Sequence, residues 1–253
     1  QSGGSGNGPW NQLSNTDTFL TYQNLPQTTY YRINIKNGKC PLVTSQPVKI
    51  QVDDTSRGGN LLGNAEVCRP LNNGTVQLIN QFGAIANWLA SSDTGKTWSN
   101  LTNTNNSYQF NNLAGDRWYS VVVKNGVCNE DTSNSVFINT FSQPTVNFVA
   151  DSICLGAITS FSDSTILLEG RKVLWNWEFQ AGMGSSIQNS KYKFASAGTF
   201  PVKLKVESDK GCRDSTTKNV VVWSSPIAAY THIDVCDTMS VVFTNSSNVA
   251  TGS

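Results

Sequence analysis

The sequence predicts an all-β protein built of tandem β-sandwich modules arranged end to end. Three observations carry this: the chain repeats itself, its apolar residues alternate at period two, and its solubility rests on strand- and turn-forming residues. Of 253 residues only 14% are charged, with 18 Lys plus Arg against 17 Asp plus Glu. Asn, Ser, Thr, Gln and Gly do the solubilising, which suits strands and turns better than helices. The near balance of charge offers no field to recruit nucleic acid or an acidic membrane face. A single histidine, His232, argues against histidine-based catalysis and multi-histidine metal sites. No apolar run approaches the ~20 residues of a membrane span, so no membrane insertion is expected. The chain opens on Gln without a signal peptide and reads as a mature or interior segment of a longer protein.

The repeat is gapless over nearly fifty residues. Shifted by 88, Trp10 falls on Trp98, Leu13 on Leu101, Asn24-Leu25 on Asn112-Leu113 and Tyr31 on Tyr119. Lys36-Asn37-Gly38 falls on Lys124-Asn125-Gly126, Cys40 on Cys128, Thr44-Ser45 on Thr132-Ser133, and Val48 and Ile50 on Val136 and Ile138. Tyr31, Ile33 and Ile35 match Tyr119, Val121 and Val123 at period two, so this set is expected to face the core and the drifting set between them the solvent. Asn-Gly tolerates the two positive φ angles of a two-residue type I′ hairpin, and each unit is expected to close on such a turn with its cysteine just beyond.

A second period of 82 residues lies in the other half. It places Pro144 on Pro226, Phe148 on Tyr230, Cys154 on Cys236, Phe161 on Phe243 and Ser164 on Ser246. Four segments follow: a partial module at 1–53, a complete one of the same kind at 54–141, a different module at 142–224, and the start of a second copy of that one at 225–253.

The cysteines fit one bridge per module. Cys68 and Cys128 are 60 residues apart, Cys154 and Cys212 are 58 apart, and the second of each pair follows a turn, "NGVC" or "KGC". The expected bridges are Cys68–Cys128 and Cys154–Cys212, which leave Cys40 and Cys236 unpaired within this sequence. By the same periods the partner of Cys40 falls at 68 − 88 = −20 and that of Cys236 at 236 + 58 = 294. Loops of this length contribute roughly 4 kcal/mol each in the chain-entropy picture and place the protein in an oxidising, extracellular compartment.

The residues Cys68, Trp88, "SSDTGKTW" (91–98), Trp118-Tyr119 and "KNGVC" resemble the immunoglobulin-like repeats of large Bacteroidota surface adhesins. "NLPQTTYYRINI" (24–35) is also similar to the Leu-x-Pro-x-Thr-x-Tyr corner of fibronectin type III domains. "WNWEFQAG" (175–182) and "YKFASAGTFPVKLKV" (192–206) resemble the signature segments of PKD domains. Glu178, Gln180 and Ala181 depart from the PKD acidic and glycine positions, so a calcium role there is not carried over. Together these features resemble SprB-type gliding-motility adhesins and related long surface proteins. That resemblance implies a cell-surface location, export by the type 9 secretion system, and as partners the neighbouring modules of the same chain, the secretion and motility machinery and surface polysaccharide.

Candidate sites weigh towards structure. "SSDTGKTW" fits the Asp-box of sialidases, but one box, a sister copy "SGNGPW" without Asp, and only Arg32, Arg57, Arg69, Arg117, Arg171 and Arg213 leave no carboxylate-binding cluster. It reads as a hairpin turn with Asp93 accepting backbone hydrogen bonds and Trp98 packed beneath. Trp118 and Trp223 could stack on sugars, although Tyr30 replaces Trp118 in the sister copy. Asp53-Asp54 and Asp234/Asp237 could bind calcium but lack the spacing of a ligand loop, and His232 with Cys236 is too small a set for zinc. No catalytic residue, cofactor or metal site is therefore assigned. Asp-Ser/Thr followed by a small or aliphatic residue, the Bacteroidota O-glycosylation context, marks Ser152, Ser164, Ser215 and Thr238.

The function expected is a non-enzymatic stalk segment of a long adhesin. The alternative is an accessory arm of a secreted hydrolase whose catalytic domain lies outside this sequence. Pro144 and Pro226 bias the junctions at 139–148 and 221–230 towards extended chain, while Gly58, Gly59 and Gly63 mark the place of an expected bend. Sandwiches of ~35–40 Å each would then string into a rod well over ~100 Å long.

Overall fold

The computed structural model describes residues 1–248, and every regular element among them is a β-strand. The last five residues of the segment 225–253 lie outside the described residues. The chain divides into two compact units. One comprises Gln1–Asn64, Thr75–Gln109 and Arg117–Phe137; the other comprises Ala65–Gly74, Phe110–Asp116 and the chain from Ile138 onwards.

In the first unit the antiparallel strands Ser99–Leu101, Ala84–Ser91, Arg117–Lys124 and Asp131–Thr132 lie side by side, and Asn60–Leu62 pairs with Asn73–Ile79. Leu61, Val76, Leu78, Trp88, Tyr119, Val121 and Val123 are buried at period two along their strands. Burying each such side chain contributes roughly 1.5–3 kcal/mol. The Trp88 indole N–H would be costly to bury unpaired; it donates to the Asn105 carbonyl at 2.9 Å.

The 88-residue repeat is a repeat of backbone geometry. Ser2 pairs with Tyr31 as Ala90 pairs with Tyr119, and Asn34 pairs with Thr44 as Val122 pairs with Thr132. The amides of Ile33 and Val121 both donate to a serine hydroxyl, of Ser45 and Ser133, at 3.0 Å. Burial is not repeated. Ile33 and Ile35 are 64% and 66% exposed, against 0% for Val121 and Val123. The second module has Leu61, Val76 and Leu78 among its buried residues, and residues 1–53 contain no counterpart of them. The expected core-facing set of the first module is therefore not buried: Ile33 and Ile35 are exposed while Arg32 and Asn34 between them are half-buried.

The Asn-Gly turn is not the expected two-residue type I′ hairpin. Gly38 and Gly126 take φ of 51° and 52°, but neither asparagine has a positive φ. The cysteine amides donate to the asparagine carbonyls, Cys40 to Asn37 at 2.9 Å and Cys128 to Asn125 at 3.0 Å, so each Asn opens the turn and does not occupy its centre. Register explains this: Val123 pairs with Asp131, which leaves residues 124–130 as a longer loop. Asn125 is instead held on the preceding segment, its amide donating to Ser56 Oγ and its side chain to the Asp54 carbonyl. Gly58 and Gly59 also have local duties. A Cβ on Gly58 would strike the Thr132 backbone, and Gly59 sits at φ 76°.

The second unit contains the module at 142–224. One sheet orders Ile153–Cys154, Arg213–Trp223, Gly198–Ser208, Lys172–Gln180 and Met183–Ser185; the other orders Phe148–Ala150, Thr159–Asp163 and Ser190–Tyr192. Between them lies a core of Val146, Phe148, Phe161, Trp177, Phe179, Phe194, Val202, Leu204, Val206, Val220 and Val222. Val202, Leu204 and Val206 alternate with more exposed lysines and glutamate as the sequence predicts. Trp177 repeats the device of Trp88, its indole donating to the Ile187 carbonyl at 3.0 Å. The 82-residue period is also structural. Thr145 bridges Ile166 as Ile227 bridges Asn248, and Phe148 pairs with Asp163 as Tyr230 pairs with Asn245.

Candidate functional site

A polar cluster of the second unit lies where the strand Ala65–Arg69 meets the hairpin of the module at 142–224. That strand runs parallel to Val136–Ser142, with Cys68 level with Phe141. Residues two apart on a strand share a face, so Glu66 and Cys68 project together. Opposite them stand Lys210 and Cys212, also two apart. Cys68 and Cys212 form a disulfide, and Lys210 Nζ lies 3.2 Å from both Glu66 carboxylate oxygens and 4.8 Å from the centre of the Phe141 ring. On the other face of the strand, Arg69 meets Glu169 at 2.6 Å and donates to the Thr140 carbonyl at 3.0 Å. The second Glu169 oxygen accepts the Ser142 amide at 2.9 Å. That amide and the Arg69 guanidinium outweigh a partial desolvation and hold the Glu169 carboxyl below its ordinary pKa.

This geometry corrects the cysteine pairing read from spacing. Neither Cys68–Cys128 nor Cys154–Cys212 forms; Cys68 pairs with Cys212, and Cys40, Cys128, Cys154 and Cys236 are free thiols. Cys154 is level with Trp223, the last residue of strand Arg213–Trp223, whereas Cys212 directly precedes that strand. About ten residues at ~3.3 Å each separate the two, against the ~7 Å that a disulfide can span. Cys128 instead places its sulfur 3.3 Å from the Asp53 carbonyl oxygen. Spacing within a module therefore misled, because the bridge joins two modules.

Comparison with known proteins places the chain. The model of a domain of unknown function, DUF8696, matches residues 2–54 and 57–142, more than half of the chain. The chain belongs to the DUF8696 family. A PKD domain model matches residues 141–224. Solved structures similar to the chain include the PKD1 domain of Vibrio anguillarum Epp, at 29% identity and a TM-score of 0.30, covering 32% of this chain and 93% of that one. The PKD1 domain of the Vibrio cholerae metalloprotease PrtV is similar at 24% identity and 0.30, covering 32% and 96%. Extracellular domains 3–5 of Drosophila OTK are similar at 9% identity and 0.40, covering 77% and 70%. Among curated proteins none matches the chain. The PKD match and the disulfide point to an extracellular protein, and no helix among the described residues is long and apolar enough to cross a membrane.

In this DUF8696 chain the Asp-box is a closed turn. Asp93 Oδ1 accepts the Thr97 amide at 2.9 Å and the Ser91 hydroxyl at 2.7 Å, and Oδ2 accepts the Thr97 hydroxyl at 2.6 Å. These bonds, the Thr97 hydroxyl first, lower its pKa to about 2. Three bonds from within the turn itself tie this carboxylate to its own hairpin. Trp118 stacks on Phe137 with ring centres 4.2 Å apart, while Trp223 is 49% exposed. The Asp53 carboxylate takes the Gln51 side-chain amide at 2.8 Å and the Val127 amide at 3.0 Å, which lower its pKa. Asp234 lies 3.3 Å from His232 while Asp237 is exposed, and among the described residues no three His, Cys, Asp or Glu side chains gather as metal ligands. Ser152, Ser164, Ser215 and Thr238 are all exposed.

Sequence reading missed Asp163, whose side chain is wholly inaccessible. It accepts from Lys172 at 2.9 Å, the Trp175 indole at 3.0 Å and the Thr165 amide at 2.9 Å. The signal available was the first Trp of the Trp-x-Trp motif, Trp175, an indole N–H that must find a partner when covered. Glu66, Arg69, Glu169 and Lys210 carried no signal, because their partners lie in different modules.

Proposed function

We propose that the chain is a non-enzymatic stalk segment of a long repetitive cell-surface adhesin that holds an adhesive tip away from the cell. The observation that carries this reading is the tie between consecutive modules, where a disulfide and two ion pairs close one junction. A stalk must keep its modules from parting under load, and a covalent junction meets that need. Tandem repetition extends such an element at little cost, since each module contacts only its neighbours. Gliding motility, export by the type 9 system and attachment to surface polysaccharide follow from the same reading. The exposed Ser152, Ser164, Ser215 and Thr238 are the hydroxyls it offers for glycosylation.

Small-angle scattering on protein extended to whole modules tests the shape. The maximum dimension is expected to grow by about 35–40 Å for each added module. A particle that stays compact, or a catalytic domain beside these modules in the full chain, would overturn the stalk in favour of a hydrolase arm.

The second expectation concerns chemistry. Purified protein should turn over sialosides, other glycans and peptides no faster than background. Asp93→Ala should leave that result unchanged while the Thr97 amide exchanges its hydrogen several-fold faster, since its acceptor is lost. Turnover abolished by this substitution would assign the box a catalytic role.

A further inference from the structure

The bridge that closes one junction also says what the free thiols are for. Two kinds of cysteine recur. One lies on the second strand of a module, Ala65–Arg69 or Ile153–Cys154: Cys68, Cys154 and, by the 82-residue period, Cys236. The other follows the hairpin turn: Cys40, Cys128 and Cys212. The observed disulfide joins the strand cysteine of one module to the hairpin cysteine of the module after it.

Two of the free thiols, Cys154 and Cys128, each sit in one half of that same arrangement. At the closed junction Cys68 is level with Phe141 at the end of the last strand of its module, and the Cys212 sulfur lies 3.9 Å from the Phe141 carbonyl oxygen. Cys154 is level with Trp223, and Trp223 is Phe141 shifted by 82. That is the strand half, with the place beside it open. Cys128 has its sulfur 3.3 Å from the Asp53 carbonyl oxygen, and Asp53 is Phe141 shifted back by 88. That is the hairpin half. Two independent registers thus repeat the closed junction with one sulfur missing from each.

We propose that the free cysteines belong to a relay of inter-module disulfides, in which each strand cysteine bonds the hairpin cysteine of the next module in the same polypeptide. Cys154 then takes the hairpin cysteine of the PKD-like module that starts at residue 225, at 212 + 82 = 294 by the period. Cys128 and Cys40 take the strand cysteines of the modules before theirs, and Cys236 takes the hairpin cysteine two modules after Cys212. Each bond joins two thiols with loss of two protons and two electrons. The acceptor is an oxidised dithiol oxidoreductase of the extracytoplasmic compartment, whose own disulfide is reduced. The relay does not depend on whether the modules form a stalk or an enzyme's arm.

Peptide mapping of the full secreted chain, alkylated before digestion and left unreduced, decides the matter. Expected are a Cys154 peptide linked to the next module's hairpin cysteine and a Cys128 peptide linked to the preceding module's strand cysteine. The 253-residue chain alone should titrate four thiols, those of Cys40, Cys128, Cys154 and Cys236. Cys154 recovered alkylated from the full chain, linked to Cys212, or linked to a second copy and visible as a reducible dimer, would overturn the relay. So would fewer than four thiols in the 253-residue chain, since two of the assigned cysteines would then bond each other.

Discussion

Reduction of the Cys68–Cys212 bridge is expected to destabilise the unit that contains it by about 5 kcal/mol, the chain-entropy value for closing a loop of this length. The bond spans 144 residues of sequence, more than twice the separation expected for a bridge inside one module. Its effect should also have a particular form. With the bridge intact, the strand Ala65–Arg69 cannot leave the hairpin at Lys210–Cys212 while either is folded, so the two modules should melt together. Once it is reduced, the junction keeps the ion pairs Arg69–Glu169 and Lys210–Glu66, the Ser142 amide on Glu169 and the Lys210–Phe141 contact, and partly exposed ion pairs contribute little, roughly 0–1 kcal/mol each. Calorimetry should then resolve two transitions in place of one, and raising the salt should separate them further. In the 253-residue chain Cys68→Ser should reproduce reduction, whereas Cys128→Ser and Cys154→Ser should be silent. Identical melting profiles with and without reductant would show that the bridge does not couple the modules. A large effect of Cys128→Ser would restore the pairing within one module.

What the sequence discloses and what it hides divide along a physical line. Features that live inside one strand are legible: the alternation of Val202, Leu204 and Val206, and that of Tyr119, Val121 and Val123, because a strand imposes its own period on its side chains. Features that depend on how strand ends meet are not. The number and spacing of the cysteines suggested bridges, yet the pairing is set by Cys68 lying level with Phe141 and by Cys154 lying a strand's length from Cys212. The Asn-Gly pairs were read as turn centres because composition alone favours that. Their actual place, at the opening of the turn, follows from Asn125 bonding to Ser56 and Asp54 across about 70 residues of sequence. Trp118 offers itself in sequence as a ring that could stack on sugar, because its stacking neighbour Phe137 lies on another strand and leaves no mark at fixed spacing.

Asp163 is the second place where a large effect is expected. Burial alone would raise its pKa, but the Thr165, Lys172 and Trp175 bonds prevail and hold it at about 2, below the ordinary 3.8. A carboxyl whose folded pKa is depressed contributes stability above its unfolded pKa and loses it as pH falls towards the folded one. The module at 142–224 should therefore be stable by about 2 kcal/mol more at neutral pH than at pH ~2 on account of this group. The loss should begin below pH ~4 and be complete only near pH ~2. Asp163→Asn retains an oxygen for the Thr165 amide but cannot answer the Lys172 charge, so it should remove this acid limb and lower stability at every pH above it. Asp163→Ala should cost about 3 kcal/mol, because it strands the Lys172 ammonium, which is only 24% exposed, and leaves the Trp175 indole unpartnered. Pairing it with Lys172→Met should recover part of that cost, since an apolar neighbour no longer needs the carboxylate. Urea unfolding of the four proteins from pH 2 to 7 would check this. An acid limb that survives Asp163→Asn, or an alanine variant as stable as the parent, would mean that the core of Phe161 and Trp177 holds without this polar hub, and that Asp163 only fills space beside it.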